Sequence, residues 1–187
     1  MTELIGTDGV ARCSWGNSTP DYAAYHDEEW GTPLHGQDAL YERLCLESFQ
    51  SGLSWITILR KRESFRKAFK QFKPAKVAKF VDADVERLMQ DASIVRNRAK
   101  ILATINNAQA IAALDVPLDD LLWSFAPAAH ERPRSMADVP AITDESKAMA
   151  KELKKRGFAF LGPTTCYALM QATGMVDDHV RGCFRAG

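Results

Sequence analysis

Hydrophobic positions recur at helical spacing along most of the chain, and no stretch shows the two-residue alternation of a half-buried strand. A first helix is predicted to begin at Thr19-Pro20, a cap followed by a first helical residue, and to run to Trp30, where Gly31 stops it. The other predicted helices cover residues 38–50, 54–60, 62–71, 74–81, 84–91, 97–113, 118–125, 144–156 and 163–173. The pattern predicts an all-α fold.

Proline and glycine mark the irregular connections. Residues 126–143 hold three prolines and few apolar side chains, which predicts the longest irregular segment of the chain. Gly157 and Gly174 follow the last two predicted helices and are natural C-terminal stops. No internal repeat or low-complexity tract is present, so we expect helices packed around one or two clefts.

The amino-acid composition indicates the broad class of the protein and little more. The chain has 187 residues and a mass of 20.8 kDa, with 46% apolar and 26% charged residues, as expected of one ordinary globular domain. Its longest apolar runs are far shorter than the roughly 18 residues of a membrane span. The first residues lack the basic start and apolar stretch of a secretory signal. These features predict a cytoplasmic protein that contacts no membrane.

The formal net charge is zero, which argues against a general polyanion-binding protein, but the charges are unevenly distributed. Residues 1–59 carry two basic and nine acidic side chains, whereas residues 60–79 carry nine basic and one acidic. The nine basic residues are Arg60, Lys61, Arg62, Arg66, Lys67, Lys70, Lys73, Lys76 and Lys79. Such a segment either contacts phosphates or is a solvated helix face, and charge alone does not decide between the two.

The four cysteines divide into two kinds. Two of them, Cys45 and Cys166, occupy apolar helical stretches and are predicted core residues. The other two lie near opposite ends of the chain, and each has a histidine in the same terminal region. They give the set Cys13, His26, His179 and Cys183. Two thiolates and two imidazoles are a closed tetrahedral zinc set with no position for a reactive water, although the spacing equally fits unrelated buried residues.

The segment 156–165, Arg-Gly-Phe-Ala-Phe-Leu-Gly-Pro-Thr-Thr, connects the last two predicted helices. Pro163 suits a first helical position, so the free backbone N–H groups of that helix start form a candidate anion site. Small side chains there let a phosphate approach closely. A plain interhelical turn has a similar sequence, and the local pattern leaves both interpretations open.

Aromatic residues cluster near the N-terminus, where Trp15, Tyr22, Tyr25 and Trp30 fall within 16 positions. Further on, Glu47 interrupts an otherwise apolar helix, and Trp55 follows a Gly-Leu-Ser break. A buried carboxylate is costly unless it is paired or used. Aromatic rings around a negative charge suit a flat, cationic ligand. The alternative is that the rings are core and that the carboxylate pairs with an arginine.

Several of these segments, in this order and spacing, resemble bacterial 3-methyladenine DNA glycosylase I, within the helix-hairpin-helix DNA glycosylase superfamily. The resemblance covers roughly residues 12–185. The matching motifs are Arg12-Cys13-x-Trp15, Tyr25-His26-Asp27-x-Glu29-Trp30-Gly31, Leu46-Glu47-x-x-Gln50-x-Gly52-Leu53-Ser54-Trp55, Lys154-Lys155-Arg156-Gly157-Phe158 and Asp178-His179-x-x-x-Cys183. The turn at 156–165, followed by Val176-Asp177-x-His179, is similar to the core of the wider superfamily.

The resemblance implies a helix-hairpin-helix glycosylase-like fold in residues 12–187, a single α-helical domain, and leaves 1–11 as a mobile N-terminal extension. It implies a structural Zn²⁺ that joins the two terminal segments. The implied zinc ligands are Cys13, His26, His179 and Cys183. The implied base pocket comprises Glu47, Tyr25 and Trp55, with Tyr22, Trp15 and Trp30 as wall residues. The hairpin is expected to grip the DNA backbone through Gly157, Gly162, Thr164 and Thr165.

The implied activity is hydrolysis of the N-glycosidic bond of 3-methyladenine in double-stranded alkylated DNA, after base flipping. The enzyme is expected to be monofunctional and monomeric, and to act at the bacterial nucleoid. Glu47 is the first candidate for the catalytic carboxylate. Asp177, which stands where the wider superfamily places a catalytic aspartate, is the second. Two alternatives remain open: a nucleic-acid-binding module without chemistry, and an excision enzyme for a mismatched or oxidised base. A catalytic zinc hydrolase is disfavoured because four protein ligands close the metal.

Overall fold

The computed structural model describes residues 5–186, and within that range the backbone forms nine α-helices and no β-strand. The helices are α1 (Pro20–Glu28), α2 (Gln37–Gln50), α3 (Trp55–Ala68), α4 (Pro74–Val77), α5 (Asp82–Gln90), α6 (Arg98–Ala112), α7 (Leu118–Trp123), α8 (Asp144–Lys155) and α9 (Pro163–Ala172). Three short 3₁₀ turns occupy Ser14–Asn17, Lys70–Phe72 and Met136–Asp138. The all-α prediction is confirmed.

The sequence predicted a break near residue 61, but α3 is continuous through that position. The residues around that position are charged, but they are good helix formers and include no glycine or proline, so one helix runs through. Ile58 and Phe65, seven residues apart, lie on its buried side. Helix α4 ends at Val77, four residues earlier than predicted, and Val81 is not helical: it is extended and caps α5, with its N–H bound to the Asp84 carboxylate.

The connection between α3 and α4 turns in a left-handed conformation. Lys70, Gln71 and Phe72 have φ angles of 54°, 58° and 47°. Consecutive non-glycine residues in this region are strained. The side chain of Phe72 is fully buried and stacks on Phe69 with ring centroids 5.6 Å apart. This aromatic packing offsets the strain.

Helix α2 lies at the centre of the fold, since it contacts α3, α6, α7 and α9. Its residues are buried on every side from Leu40 to Phe49, with Glu42 as the half-exposed exception. The centre of the molecule therefore contains two charged side chains of this helix, Arg43 and Glu47, which are 6% and 4% exposed. Both need a partner or a function, because burial of an isolated charge is costly.

The two ends of the chain lie side by side. The backbone N–H of Phe184 donates to the carbonyl of Ala11 at 2.7 Å, and that of Val180 donates to Sγ of Cys13 at 3.5 Å. Ahead of this contact, Ile5 and Ala11 form an isolated bridge around a turn. Residues 1–4 of the predicted extension lie outside the described residues, as does residue 187, and mobility of residues 1–11 stays a prediction.

Candidate active site

One cavity of about 250 Å³ is lined mainly by aromatic side chains, and we call it the aromatic cavity. It is slightly smaller than the roughly 300 Å³ at which sites for drug-sized ligands begin, so it suits a single ring system. Its lining residues come from five parts of the chain. They are Trp15, Tyr22, Tyr25, Trp30, Glu47, Gln50, Trp55, Met136, Val139, Ala168 and Gln171.

The rings of Tyr25 and Trp55 form one continuous surface of the cavity, since their centroids are 5.3 Å apart with planes inclined by 42°. They contact each other, and a ligand therefore lies against them rather than between them. Tyr22 is fixed separately: its hydroxyl accepts a hydrogen bond of 3.1 Å from the backbone N–H of Ile56 at the start of α3. This bond ties α1 to the first turn of α3.

The carboxylate of Glu47 is the charged group of the cavity lining. Among residues 5–186 it receives no hydrogen bond and forms no ion pair. Burial raises its pKa to about 7, and the nearby Arg43 guanidinium opposes part of that rise. A cavity with this lining offers a hydrogen-bond acceptor that becomes ionised near neutral pH.

A groove of about 250 Å³ continues from the cavity, sharing Glu47, Gln50 and Ala168 with it. One side of the groove is the turn between α2 and α3, and the other is the first turn of α9. Leu53 lies on the first side and is 43% exposed. The ammonium group of Lys100 donates to the carbonyls of Phe49 and Ser51, and thereby fixes the end of α2.

The turn between α8 and α9, residues 156–162, is held by two asparagines of α6. Asn107 donates to the carbonyl of Ala159 at 3.1 Å and accepts from its N–H at 2.8 Å. Asn106 donates to the carbonyl of Gly157 at 2.7 Å. The turn therefore presents Gly162 at the start of α9 in a fixed position, with Thr164 and Thr165 lining the groove.

Behind the aromatic cavity, Cys13, His26 and Cys183 are buried with their ligand atoms within 4.8 Å of one another. His179 packs beside them, since its ring centroid lies 4.9 Å from that of His26. The hydrogen bond from Cys13 and the neighbouring His26 lower the pKa of Cys183, whereas the same bond and burial raise the pKa of Cys13. We call the four residues the Cys/His cluster.

Each histidine of the Cys/His cluster is oriented by an aspartate that an arginine holds. His26 Nδ1 bonds Asp27 at 2.8 Å, and Asp27 is bound by Arg12. In the same way, His179 Nδ1 bonds Asp177 at 2.7 Å, and Arg132 binds that carboxylate. Such carboxylate–histidine pairs are the usual outer shell of a metal site.

The cluster fits a metal ion on a second ground. The Nε2 atom of His179 is buried and has no hydrogen-bond partner among the described residues. Gly31 permits this placement, since a Cβ there would lie 2.7 Å from the His179 ring. Imidazole nitrogens and the thiolates of two cysteines are the donors that zinc prefers in proteins.

A family model described as methyladenine glycosylase matches residues 15–186. The chain belongs to the methyladenine glycosylase family. DNA-3-methyladenine glycosylase 1 of Escherichia coli (strain K12) is 49% identical over 182 residues, which cover 93% of this chain and 96% of that protein. Membership of the methyladenine glycosylase family confirms the resemblance stated from the motifs and the predicted enzyme class.

Solved structures of methyladenine glycosylases agree with the fold. A crystal structure of 3-methyladenine DNA glycosylase I is similar with a TM-score of 0.89 at 47% identity, and the match covers 92% of this chain and 98% of that one. Another, of a variant in complex with 3-methyladenine, gives a TM-score of 0.86 at 36% identity over 92% of this chain and 96% of that one.

The structure brings all six predicted pocket residues of this methyladenine glycosylase into the aromatic cavity. It places Asp177 elsewhere: this carboxylate does not line the cavity and is engaged by Arg132 and His179. Although partial burial favours the protonated acid, the bonds from His179 and Arg132 lower the pKa of Asp177 well below its usual value.

Five further lining residues of the methyladenine glycosylase cavity were not predicted from the sequence as site residues. They are Gln50, Met136, Val139, Ala168 and Gln171. A signal existed for Gln171, because it is a polar residue among the buried apolar positions of α9. Its amide donates to the carboxylate of Asp178 at 2.7 Å, which fixes its orientation.

The basic residues of segment 60–79 divide into two groups, apart from Lys61, which donates to the carbonyls of Ala92 and Ser93. The arginines are paired, Arg60 with Asp21, Arg62 with Glu29, and Arg66 with Glu42 and Glu63. Five lysines are exposed and form no ion pair within residues 5–186. They are Lys67, Lys70, Lys73, Lys76 and Lys79. These lysines therefore fit both interpretations of the segment, contact with phosphates and a solvated helix face.

Across the described part of this methyladenine glycosylase, none of the helices combines the length and the apolar character that crossing a membrane requires.

Proposed function

We propose that this methyladenine glycosylase hydrolyses the N-glycosidic bond of 3-methyladenine in alkylated double-stranded DNA, and that it receives the base in the aromatic cavity after base flipping. The observation that carries the proposal is the buried Glu47 carboxylate, which has no hydrogen-bond or ion-pair partner in residues 5–186. A buried charge without a protein partner is expensive, so a cationic ligand is its natural counterpart.

The cavity selects the damaged base by charge. Methylation at N3 gives the nucleobase a positive charge, whereas adenine is neutral. Glu47 accepts hydrogen bonds from the amine edge of the base and attracts this charge, while Tyr25 and Trp55 supply the stacking surface. Trp15, Tyr22 and Trp30 complete the aromatic surround. An aromatic surface alone discriminates weakly between similar purines, so the carboxylate supplies the selectivity.

The chemical step needs little assistance. When the bond from the sugar C1′ atom to N9 breaks, its electron pair neutralises the cationic base, which leaves as neutral 3-methyladenine. Water then adds to the sugar cation and loses a proton, giving an abasic site. No lysine lines the cavity among the described residues, which supports a monofunctional hydrolase without a covalent intermediate.

The groove is the proposed path of the DNA backbone. Gly157 and Gly162 let the strand approach the turn between α8 and α9, and the N-terminus of α9 with Thr164 and Thr165 binds a phosphate. Exposed Leu53, across the groove, inserts into the gap that the flipped base leaves in the stack. Cavity and groove are built by one chain, so the enzyme acts as a monomer.

The Cys/His cluster is the proposed site of a structural Zn²⁺ held by Cys13, His26, His179 and Cys183. Four protein ligands leave no open coordination position, so the ion stabilises the fold and takes no part in hydrolysis. Its place supports this role. The rings of Trp15 and Trp30 contact His26 and His179, and the same two rings line the aromatic cavity.

The proposal is tested by single-turnover release of free 3-methyladenine from methylated duplex DNA. We expect Glu47→Gln to slow release by roughly one hundredfold, as for loss of one charged hydrogen bond of up to about 3 kcal/mol. The matched control is Glu63→Gln, at an exposed glutamate of α3 outside the cavity, with release unchanged. Wild-type protein that binds methylated DNA but releases no base, or that prefers an uncharged oxidised base, would overturn the proposal.

A further inference from the structure

Arg43 lies one helical turn before Glu47 on α2 and is buried. Its guanidinium carbon lies 5.3 Å from the ring centroid of Tyr25 and 5.5 Å from that of Trp55. It does not line the aromatic cavity, but it lines a smaller cavity together with Glu29. Arg43 therefore lies behind the two rings that form the ligand-facing surface.

The hydrogen bonds of Arg43 fix one of those rings. Its Nη1 donates to the hydroxyl of Tyr25 at 2.9 Å, and its Nη2 donates to Glu29 Oε2 at 3.0 Å. Glu29 is shared, since Arg62 donates to both of its oxygens at 2.6 Å and 2.8 Å. Two guanidinium groups thus face one carboxylate, and the group of three has one excess positive charge beside Glu47.

We infer that Arg43 is a positioning residue for base recognition, which locks the Tyr25 ring and provides the positive charge that favours the ionised carboxylate of Glu47 in the empty cavity. This inference depends on the proposed function of Glu47. The excess positive charge of the Arg43, Arg62 and Glu29 group favours ionised Glu47 from behind the rings, but none of these residues bonds the Glu47 carboxylate, which is left to the cationic base.

Among the charged and titratable groups around Glu47, Arg43 is the one that favours its ionised form. Burial raises the pKa of Glu47 to about 7, and Arg43 is the charged residue that lowers it. The titratable groups facing Glu47 from α1 are the hydroxyls of Tyr22 and Tyr25, whose pKa values burial raises, so both are uncharged. The titratable groups of α9, which packs against α2, are Cys166 and Tyr167, and burial raises the pKa of both, so both are also neutral.

A cation behind the two rings has a second consequence. The Arg43 guanidinium already interacts with the negative faces of the Tyr25 and Trp55 rings, so these rings attract another cation less strongly. Discrimination between the charged base and neutral adenine then depends on Glu47 rather than on the rings. Arg43 therefore determines specificity through Glu47.

The experiment is the pH dependence of kcat/KM for release of 3-methyladenine, which reports the ionisation of the free enzyme. For wild type we expect activity to rise through an acid limb near pH 7 as Glu47 ionises. Arg43→Met is expected to move the limb upward by about one pH unit, with activity recovered at higher pH. Arg43→Lys, which keeps the charge, is expected to return the limb most of the way.

Two further variants keep the test decisive if Arg43→Met does not fold. Glu29→Gln leaves both arginines without their carboxylate and should move the acid limb downward. Arg62→Met removes the other positive charge of the group, at a residue that contacts neither ring, and should move the limb upward by less than Arg43→Met does. An acid limb that is lost in Glu47→Gln but stays fixed in Arg43→Met and Glu29→Gln would overturn the role of Arg43 alone. A limb that persists in Glu47→Gln would overturn the proposed function itself.

Discussion

The carboxylate of Asp177 accepts a hydrogen bond from Nδ1 of His179 at 2.7 Å and another from the backbone N–H of the same residue at 3.1 Å. These bonds fix the His179 ring beside His26, with its Nε2 buried and without a partner among the described residues, and they leave Asp177 outside the aromatic cavity. The carboxylate is thus placed to orient His179, a proposed zinc ligand. The sequence predicted Asp177 as a second candidate for the catalytic carboxylate, and a catalytic and a supporting role predict different results.

We expect Asp177→Asn to weaken zinc binding by about ten- to one hundredfold, the usual effect of losing an outer-shell carboxylate. Zinc release to a chromogenic chelator measures this. Single-turnover base release by the zinc-loaded variant should stay within about twofold of wild type. A large loss of base release at full zinc content would instead assign Asp177 to the chemical step, and wild-type protein without zinc would refute the metal site.

The buried charge of Glu47 should make stability depend on pH. Its folded pKa of about 7 lies above the ordinary value of 4.5, so the folded state holds the proton more tightly than the unfolded state. The resulting stability is fully present below about pH 4.5 and is lost as pH rises through 7. The loss amounts to about 3 kcal/mol.

Glu47→Gln removes this dependence. The free energies of unfolding of the variant and of wild type are measured by urea denaturation at both pH values. The difference, variant minus wild type, should be about 2–3 kcal/mol larger at pH 8.5 than at pH 5. The exposed Glu63→Gln variant serves as the reference, since it should show no such difference. If wild type and Glu47→Gln differ equally at both pH values, Glu47 is not a buried group with a raised pKa.

Leu53 is predicted to act on DNA rather than on the fold. Because its side chain is 43% exposed, Leu53→Ala should change the free energy of unfolding by less than about 0.5 kcal/mol. The same variant should reduce base release from duplex DNA by about tenfold, because the gap left by the flipped base is no longer filled. Leu102→Ala, at a 47% exposed leucine outside cavity and groove, is the matched control. Equal activity of the two variants would contradict insertion of Leu53.

Gly162 tests the phosphate site at the start of α9. A Cβ at this residue meets nothing within 4 Å, so both aspartate and asparagine fit there. Each is a good helix cap, and stability should rise by a few tenths of a kcal/mol in both variants. Only Gly162→Asp places a negative charge where the phosphate lies, and it should weaken DNA binding by about tenfold relative to Gly162→Asn. Equal affinities in a binding titration would place the DNA backbone elsewhere.

Much of the fold followed from local pattern. The start of α1 at Thr19-Pro20 and the ends of α8 and α9 near Gly157 and Gly174 have signals within a few residues, and the structure confirms them. The predicted break inside α3 was wrong, since the charged residues around position 61 are good helix formers and include no glycine or proline. The left-handed turn after α3 had no signal, since aromatic packing of Phe72 stabilises it.

Part of the candidate site was also predictable from local sequence pattern. Glu47 was visible as a carboxylate in an apolar helix, and Tyr25 and Trp55 as aromatic residues in recognisable motifs. Met136 and Val139 were not, because they reach the cavity only through the path of an irregular connection. Backbone contacts with distant segments set that path, such as the bond from the N–H of Arg181 to the carbonyl of Pro133 at 3.1 Å.

The sequence by itself determined the all-α class, most helix boundaries and the family, because these depend on hydrophobic period, caps and ordered motifs. Only the tertiary structure decided which role fits each charge. It placed Arg43 behind the rings, Glu47 without a protein partner and Asp177 against a histidine. The physical reason is that the free energy of a buried charge is set by the groups that surround it in space, and those groups come from residues far apart in the chain.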